Sequence, residues 1–320
     1  MYDWVVFSME SFSLCLNAIL PIFLMMAAGF GARRLGWIGD TDVPRMNAVA
    51  FKVFMPVMCF YNVYSSELST AVSPRLLLFA IAAVLSTFAL SWFLGGRIVG
   101  ERRQKGVVIQ GLYRSNYLIL GLPFVSGLTG SEGLGVASVM GAVVVPIFNV
   151  LAVITLEAHR GQKPSAGKLL LGILKNPLIL GSAAGVLTLL AGVHFPAPLE
   201  TFARDMGRVA SPLMLFLLGA FFRPGNLRAH LRTLAAVCAG RLLLIPAVVL
   251  TAAALLRFRR AEFAALIAMS GSSTAAASFT MAQQMDGDAA LAGDIVVATS
   301  ALCSLTLFLW SFLFRQLGLF

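Results

Sequence analysis

Charge is what this 320-residue chain has least of: Asp, Glu, Lys and Arg make up 12% of it, against 59% hydrophobic residues. A soluble domain carries about 25% charged residues, and no globular core could hide so much apolar surface. Histidine occurs three times and cysteine four times. Cys15, Cys59, Cys238 and Cys303 have no CxxC spacing, so neither a zinc site nor a disulfide framework is suggested, and they read as packing residues. His159, His194 and His230 show no ligand spacing, so neither metal nor cofactor is expected. No HExxH, GxSxG, P-loop or pair of carboxylates suited to intramembrane proteolysis occurs. The glycines of 127–133 lack a following Lys-Ser/Thr and read as a turn. An enzyme is therefore not expected. A channel lacks support too, because neither a ring-forming repeat of pore charges nor a filter-like loop is visible.

What the chain does have is long apolar runs, each near the roughly 20 residues that cross a bilayer as a helix. Ten are expected: 11–32, 44–64, 76–95, 106–124, 134–156, 169–193, 199–222, 231–256, 263–285 and 291–314. The fold class is thus an all-α polytopic membrane protein. The first run is longer than the apolar core of a cleavable signal and has no basic segment before it, so it reads as a retained helix. The net charge of +10 would suggest nucleic acid in a soluble protein, but here it follows the loops. Arg33, Arg34 and Arg45, then Arg97, Arg102, Arg103 and Lys105, then Arg160, Lys163 and Lys168, then Arg223 and Arg228 fall on one side. The positive-inside rule makes that side cytoplasmic and puts both termini outside, with Arg257, Arg259 and Arg260 as an exception. A plasma (inner) membrane protein with no nucleic-acid partner is the reading.

The chain also resembles itself. A shift of 156 residues carries 21–29 onto 177–185 and 56–60 onto 212–216, placing Pro21 on Pro177, Pro56 on Pro212 and Lys52 on Arg208. Two halves, 1–160 and 161–320, divide at the polar stretch 159–167 with five expected spans each. An odd number of spans inverts the second copy, and inverted repeats are the mark of secondary transporters that hold substrate at mid-depth between them.

The pointer to such a site is a pair of interrupted spans at matching positions, and the fourth and ninth fit. The fourth is interrupted over Arg114, Ser115, Asn116, Tyr117, Gly121 and Pro123, and the ninth over 270–280. A shift of 157 puts Ser115 on Ser272 and Asn116 on Ser273. Proline lacks an N–H and clashes with the preceding turn, so Gly121 and Pro123 would unwind the span and restart it. A restarted helix presents free N–H groups and a positive dipole end, suited to an anion.

An arginine at mid-span costs roughly 2.5–3.5 kcal/mol to insert, so Arg114 needs compensation. It could clasp a carboxylate with its planar fork, or tie down carbonyls freed by the break. Asn116 and Tyr117 can bond a substrate oxygen or another helix; Ser272, Ser273 and Thr274 can serve substrate, a sodium ion or close packing. Lys52 and Arg208 lie near span ends and read as snorkelling side chains. Arg241 lies deep in the eighth span and needs a partner that the sequence does not identify. Asp294, with Thr299 further along its span, is a candidate coupling-ion or proton site. Glu10, Glu67, Glu132, Asp286 and Asp288 read as solvated loop charges.

The order of these segments resembles the auxin efflux carrier family. The matching residues are 17–23, 54–56, Arg114 to Tyr117 with Gly121 and Pro123, 175–177, 211–219, and the Ser/Thr-rich ends of the ninth and tenth spans. The resemblance covers essentially the whole chain. It implies two inverted five-helix repeats with helices 4 and 9 crossing at their broken middles. It further implies an elevator mechanism in which helices 1, 2, 6 and 7 form an often dimeric scaffold and helices 3–5 and 8–10 a moving transport domain. Substrates of the family are organic anions, auxin in plants and small carboxylates such as malonate or malate in bacteria. Its crossover asparagine matches Asn116 and its proline Pro123, whereas Ser273 and Thr280 depart from the plant pattern in helix 9. The expectation is a secondary carrier of mono- or dicarboxylates, with sodium or protons as coupling ions, membrane lipid as its surroundings and a homodimer as its assembly. The alternatives are a sodium-coupled symporter of the bile-acid type, which shares the plan, and a channel.

Overall fold

The computed structural model describes residues 2–66, 73–161 and 165–319, with side chains from residue 16 onward, residue 18 excepted. Glu67 and Lys163, and the side chains of Glu10 and Cys15, lie outside the described residues.

Among the described residues the regular elements are helices. In order run α1 (Tyr2–Arg34), α2 (Asp42–Val49), α3 (Met55–Tyr64), α4 (Pro74–Ile98), α5 (Arg102–Tyr113), α6 (Leu122–Ala158), α7 (Ala166–Leu174) and α8 (Pro177–Leu190). Then follow α9 (Ala197–Phe221), α10 (Asn226–Ala229), α11 (Leu231–Ala239), α12 (Ile245–Leu255), α13 (Arg260–Gly271), α14 (Ala277–Gln284) and α15 (Ala289–Gln316). Among the described residues five helical runs are long and apolar enough to cross a membrane: Asp42–Tyr64, Pro74–Ile98, Tyr117–Ala158, Leu231–Leu255 and Ala289–Gln316. The pair α7 and α8, bent by 56° at their break, makes a sixth. The protein is therefore a polytopic membrane protein. The gap from the ten expected runs has physical causes in three of them. α9 carries Glu200, Arg204, Asp205 and Arg208 within its length, and the expected fourth and ninth spans are each divided, leaving α5 and α13 with 12 residues apiece.

Proline sets the local geometry. Three π-helical turns, Ala50–Phe54, Tyr117–Gly121 and Gly240–Leu244, each end two residues before a proline: Pro56, Pro123 and Pro246. A proline cannot donate to the carbonyl four residues back, and its ring clashes with it. That carbonyl belongs to Lys52, Ile119 or Leu242, the middle residue of each turn, and widening the helix there relieves the clash. The Leu242 carbonyl then accepts from the Trp310 indole at 2.9 Å.

α1 lies along α9, and α3 along α8. A Cβ on Gly29 would fall 1.9 Å from the Phe216 carbonyl oxygen, and one on Gly185 would fall 2.7 Å from that of Phe60. Only glycine permits either approach. The 156-residue shift carries one contact onto the other, Gly29 to Gly185 and Phe216 to Phe60.

Candidate functional site

The centre of the molecule is where α5 and α13 stop. Beyond them residues 114–116 and 272–276 run extended and antiparallel, bridged at Ser115 and Thr274. The Asn116 N–H donates to the Ser273 carbonyl at 2.8 Å and the Ala275 N–H to the Arg114 carbonyl at 3.3 Å. The two breaks therefore meet, but Ser115 faces Thr274 rather than Ser272, the residue that the 157-residue shift aligns with it. After the bridge each chain restarts, through the π turn into α6 on one side and into α14 on the other. α6 turns again at Gly130, whose φ of 68° lies in the region that favours glycine.

Four half-helix ends thus converge, and the two kinds of end are treated differently. The C-terminal ends of α5 and α13 point at Arg241, which is 1% exposed. Its Nε donates to the Ser272 carbonyl at 3.0 Å, Nη2 to Met269 at 3.2 Å, and Nη1 to Tyr113 and Leu112 at 3.3 and 3.5 Å. These carbonyls lost their helical partners where the helices ended, and a cation suits the negative ends of both dipoles. This is the partner that the sequence left unidentified for Arg241.

Arg114, 2% exposed, lies in a different setting. Its Nη1 donates to Gln110 Oε1 at 3.1 Å and to Met281 Sδ at 2.9 Å, and its Nη2 to Asn149 Oδ1 at 2.7 Å. Asn149 is held in turn by donating to Cys59 Sγ at 3.3 Å. All these partners are neutral. Among the described residues no carboxylate forms an ion pair with Arg114.

Arg114 borders a cavity of ≈ 60 Å³, several times the roughly 10–15 Å³ that one water needs. Ser115, Asn116, Tyr117, Leu118 and Ile119 line it from the first break, Ala275 and Ala277 from the second, and Met58, Ser211 and Met214 from α3 and α9. The Ser115 hydroxyl and the Asn116 Nδ2 are buried without a partner. Unmet buried donors are costly, and here they border a space able to receive an acceptor. The first N–H groups of the restarted helix, at residues 117–119, lie in the same wall and have no carbonyl of their own helix to bond.

The other expected site residues divide as follows. The Tyr117 hydroxyl donates to the Ala137 carbonyl at 3.0 Å, so the ring lines the cavity while its polar tip is committed elsewhere. Gly121 packs against the Tyr117 ring and Pro123 opens α6; both shape the break and neither lines the cavity. Ser272, Ser273 and Thr274 also stand away from the cavity lining. The Ser272 hydroxyl donates to Ala268 at 2.6 Å, Ser300 donates to Ser273 at 3.1 Å, and Thr274 donates to the Gly111 carbonyl at 2.7 Å. Thr299 accepts the Thr274 N–H at 3.1 Å and so caps the break. Asp294 is not joined to Thr299: its Oδ2 meets His230 Nδ1 at 2.8 Å. Asp286 pairs with Arg103, Asp288 caps α15, and Lys52 and Arg208 are exposed. Gln110, Asn149 and Met281 were not singled out in the sequence, and His230 was read there only as a histidine without ligand spacing. Gln110 stands one helical turn before Arg114, and Asn149 is a polar residue in an apolar run; both signals were legible.

A family model described as membrane transport protein matches residues 14–311. The chain belongs to that family. An "uncharacterized transporter" of Methanothermobacter thermautotrophicus (strain Delta H) is 23% identical over 311 residues, covering 92% of this chain and 97% of the relative. This membrane transport protein is accordingly a transporter and not an enzyme.

Proposed function

We propose that this protein is a secondary active transporter of small organic anions, with the carboxylate held at the crossing of the two broken spans. The observation that carries the reading is Arg114, a buried guanidinium with only neutral partners beside unpaired Ser115 and Asn116 donors. A buried cation without a counter-charge is costly, and an arriving carboxylate supplies the missing charge and acceptors together. The rest of the wall is mostly apolar, with Met58, Leu118, Ile119, Met214, Ala275 and Ala277 beside the Ser211 hydroxyl and no second cation, which favours a monocarboxylate with a short apolar tail over a dicarboxylate.

The resemblance to auxin efflux carriers supplies the mechanism: an elevator, with α1, α2–α3, α7–α8 and α9 as the scaffold, which dimerises, and the remaining helices as the carriage. Support for two inverted repeats comes from the Gly29–Phe216 and Gly185–Phe60 contacts, which exchange under the shift. Wall residues Met58, Ser211 and Met214 belong to the scaffold and the others to the carriage, as a site that moves past a fixed wall requires. With the basic loops inside, the membrane potential favours export of a net anion by about 2.3 kcal/mol per charge per 100 mV. Asp294, bonded to His230 in an acid–base pair, suits a proton better than sodium as a coupling ion.

Proteoliposomes loaded with a radiolabelled panel of mono- and dicarboxylates, under imposed potential, pH and sodium gradients, test this. Saturable, potential-sensitive exchange of a monocarboxylate is expected. Sodium-dependent uptake of steroid-sized anions would transfer the protein to the bile-acid type, and unsaturable flux with unitary currents would make it a channel.

A further inference from the structure

A second basic feature lies far along the chain from the crossover. The C-terminal ends of α1 and α9 share a cleft of ≈ 440 Å³ lined by Phe30, Arg33, Arg34, Phe222, Arg223 and Gly225. Both helices therefore finish at the same side of the membrane. The Arg33 guanidinium donates to the Ala220 carbonyl at 3.0 Å, which anchors it to the end of α9. The Arg34 guanidinium lies 5.1 Å from the centre of the Phe30 ring and takes part in no ion pair among those described.

An anion is already bonded to two of the arginines that line this cleft. Asp40 Oδ1 accepts from Arg33 Nη2 and, at 3.0 Å, from Arg223 Nη2. One carboxylate oxygen between two guanidiniums is the arrangement that a phosphate oxygen would adopt. The Asp40 side chain is 71% exposed, so it can be displaced without unpacking anything. Three arginines against one aspartate leave the cleft with an excess of positive charge. Depth is indicated separately: Leu35 and Trp37, directly after α1, are 66% and 78% exposed. A bare tryptophan just past the end of a long apolar helix is typical of the headgroup level, where its ring is amphipathic like the surroundings.

We propose that this cleft is a binding site for the phosphodiester headgroup of an anionic phospholipid, held by Arg34 and Arg223 with Arg33, in exchange with Asp40. The phosphate takes the position of the Asp40 carboxylate between Arg33 and Arg223. Arg34 approaches from the Phe30 side, and the acyl chains follow the exposed flank of α1 and α9. The site owes nothing to the assignment of Arg114. It ties a lipid to the α1–α9 pair.

The test is native mass spectrometry of the full-length protein purified from equal mixtures of phosphatidylglycerol and phosphatidylcholine. The unaltered protein is expected to retain the anionic lipid by about tenfold. The double variant R34Q/R223Q should lose most of that preference, D40N should raise it by removing the internal competitor, and K168Q, an exposed charge on α7, should leave it unchanged. D40N keeps the test decisive even if the double variant fails to fold, because the outcome expected of it is a gain. No lipid preference in the unaltered protein, an equal loss in K168Q, or a loss in D40N would overturn the proposal. Inorganic phosphate separates the two sources of the same chemistry. Retention that survives millimolar phosphate supports a lipid site, and displacement by it makes this a site for the free ion.

Discussion

Arg241 and Arg114 are both buried arginines beside the same helix break, and their partners differ in kind. Arg241 faces the C-terminal ends of two half-helices and spends its donors on four backbone carbonyls. Arg114, the residue that ends α5, bonds instead to uncharged side chains of α5, α6 and α14 and borders the cavity onto which the restarted helices open. The first arrangement satisfies its cation with the protein's own carbonyls; the second has no anionic partner among the described residues, which is what the proposed ligand would supply. Cost of insertion alone therefore does not distinguish a structural arginine from a binding one. What distinguishes them is whether the protein itself supplies the negative end.

The largest expected effect breaks the Arg241 side. Arg241→Leu leaves four carbonyls unpaired at about 1–3 kcal/mol for each buried group, so little folded protein should survive detergent extraction, as size-exclusion chromatography would record. Recovery of a stable, monodisperse Leu variant would refute the structural role. Arg114→Gln should behave in reverse. Its melting temperature should hold or rise, because an uncompensated buried charge has gone, while transport efficiency falls about 10- to 100-fold. The same variant should lose the thermal stabilisation by carboxylate, which in the unaltered protein reaches about 2.7 kcal/mol at a hundred times Kd. A carboxylate shift that persists without Arg114 would move the site elsewhere. Asn116→Ala, which removes one unpaired donor from the cavity wall, should weaken binding about 3- to 10-fold with little change in stability. The smallest effect sharpens the boundary: Tyr117→Phe should cost about 1 kcal/mol of stability through the lost bond to Ala137 and leave affinity within about twofold. A larger loss of affinity there would return the hydroxyl to the site.

The helix break was legible because proline has only one way to sit in a helix. Pro123, Pro56 and Pro246 each announce a disturbed turn four residues upstream, and the π turns lie there. Arg114 and Asn116 stood out because polar groups in an apolar run are expensive. The second break was less well read. Three hydroxyls in a row at 272–274 look like a ligand site, yet they bond to α5, α13 and α15, and the cavity receives Ala275 and Ala277 instead. An extended segment sends successive side chains to opposite faces, so which residues meet the cavity depends on the register of the bridge. That register pairs Ser115 with Thr274, two residues past the alignment of the halves, and no local signal encodes it.

Much of this protein is set by sequence alone: a membrane solvent, from composition; helices, because a backbone in hydrocarbon must satisfy its own bonds; and breaks, from proline. Tertiary structure decided what those features meet. Arg114 and Arg241 are chemically identical, and only the fold brings the C-terminal ends of α5 and α13 to Arg241 and uncharged side chains to Arg114. Helix direction at a crossing is a property of the assembled chain, and for that reason the sequence could name both arginines but could not tell them apart.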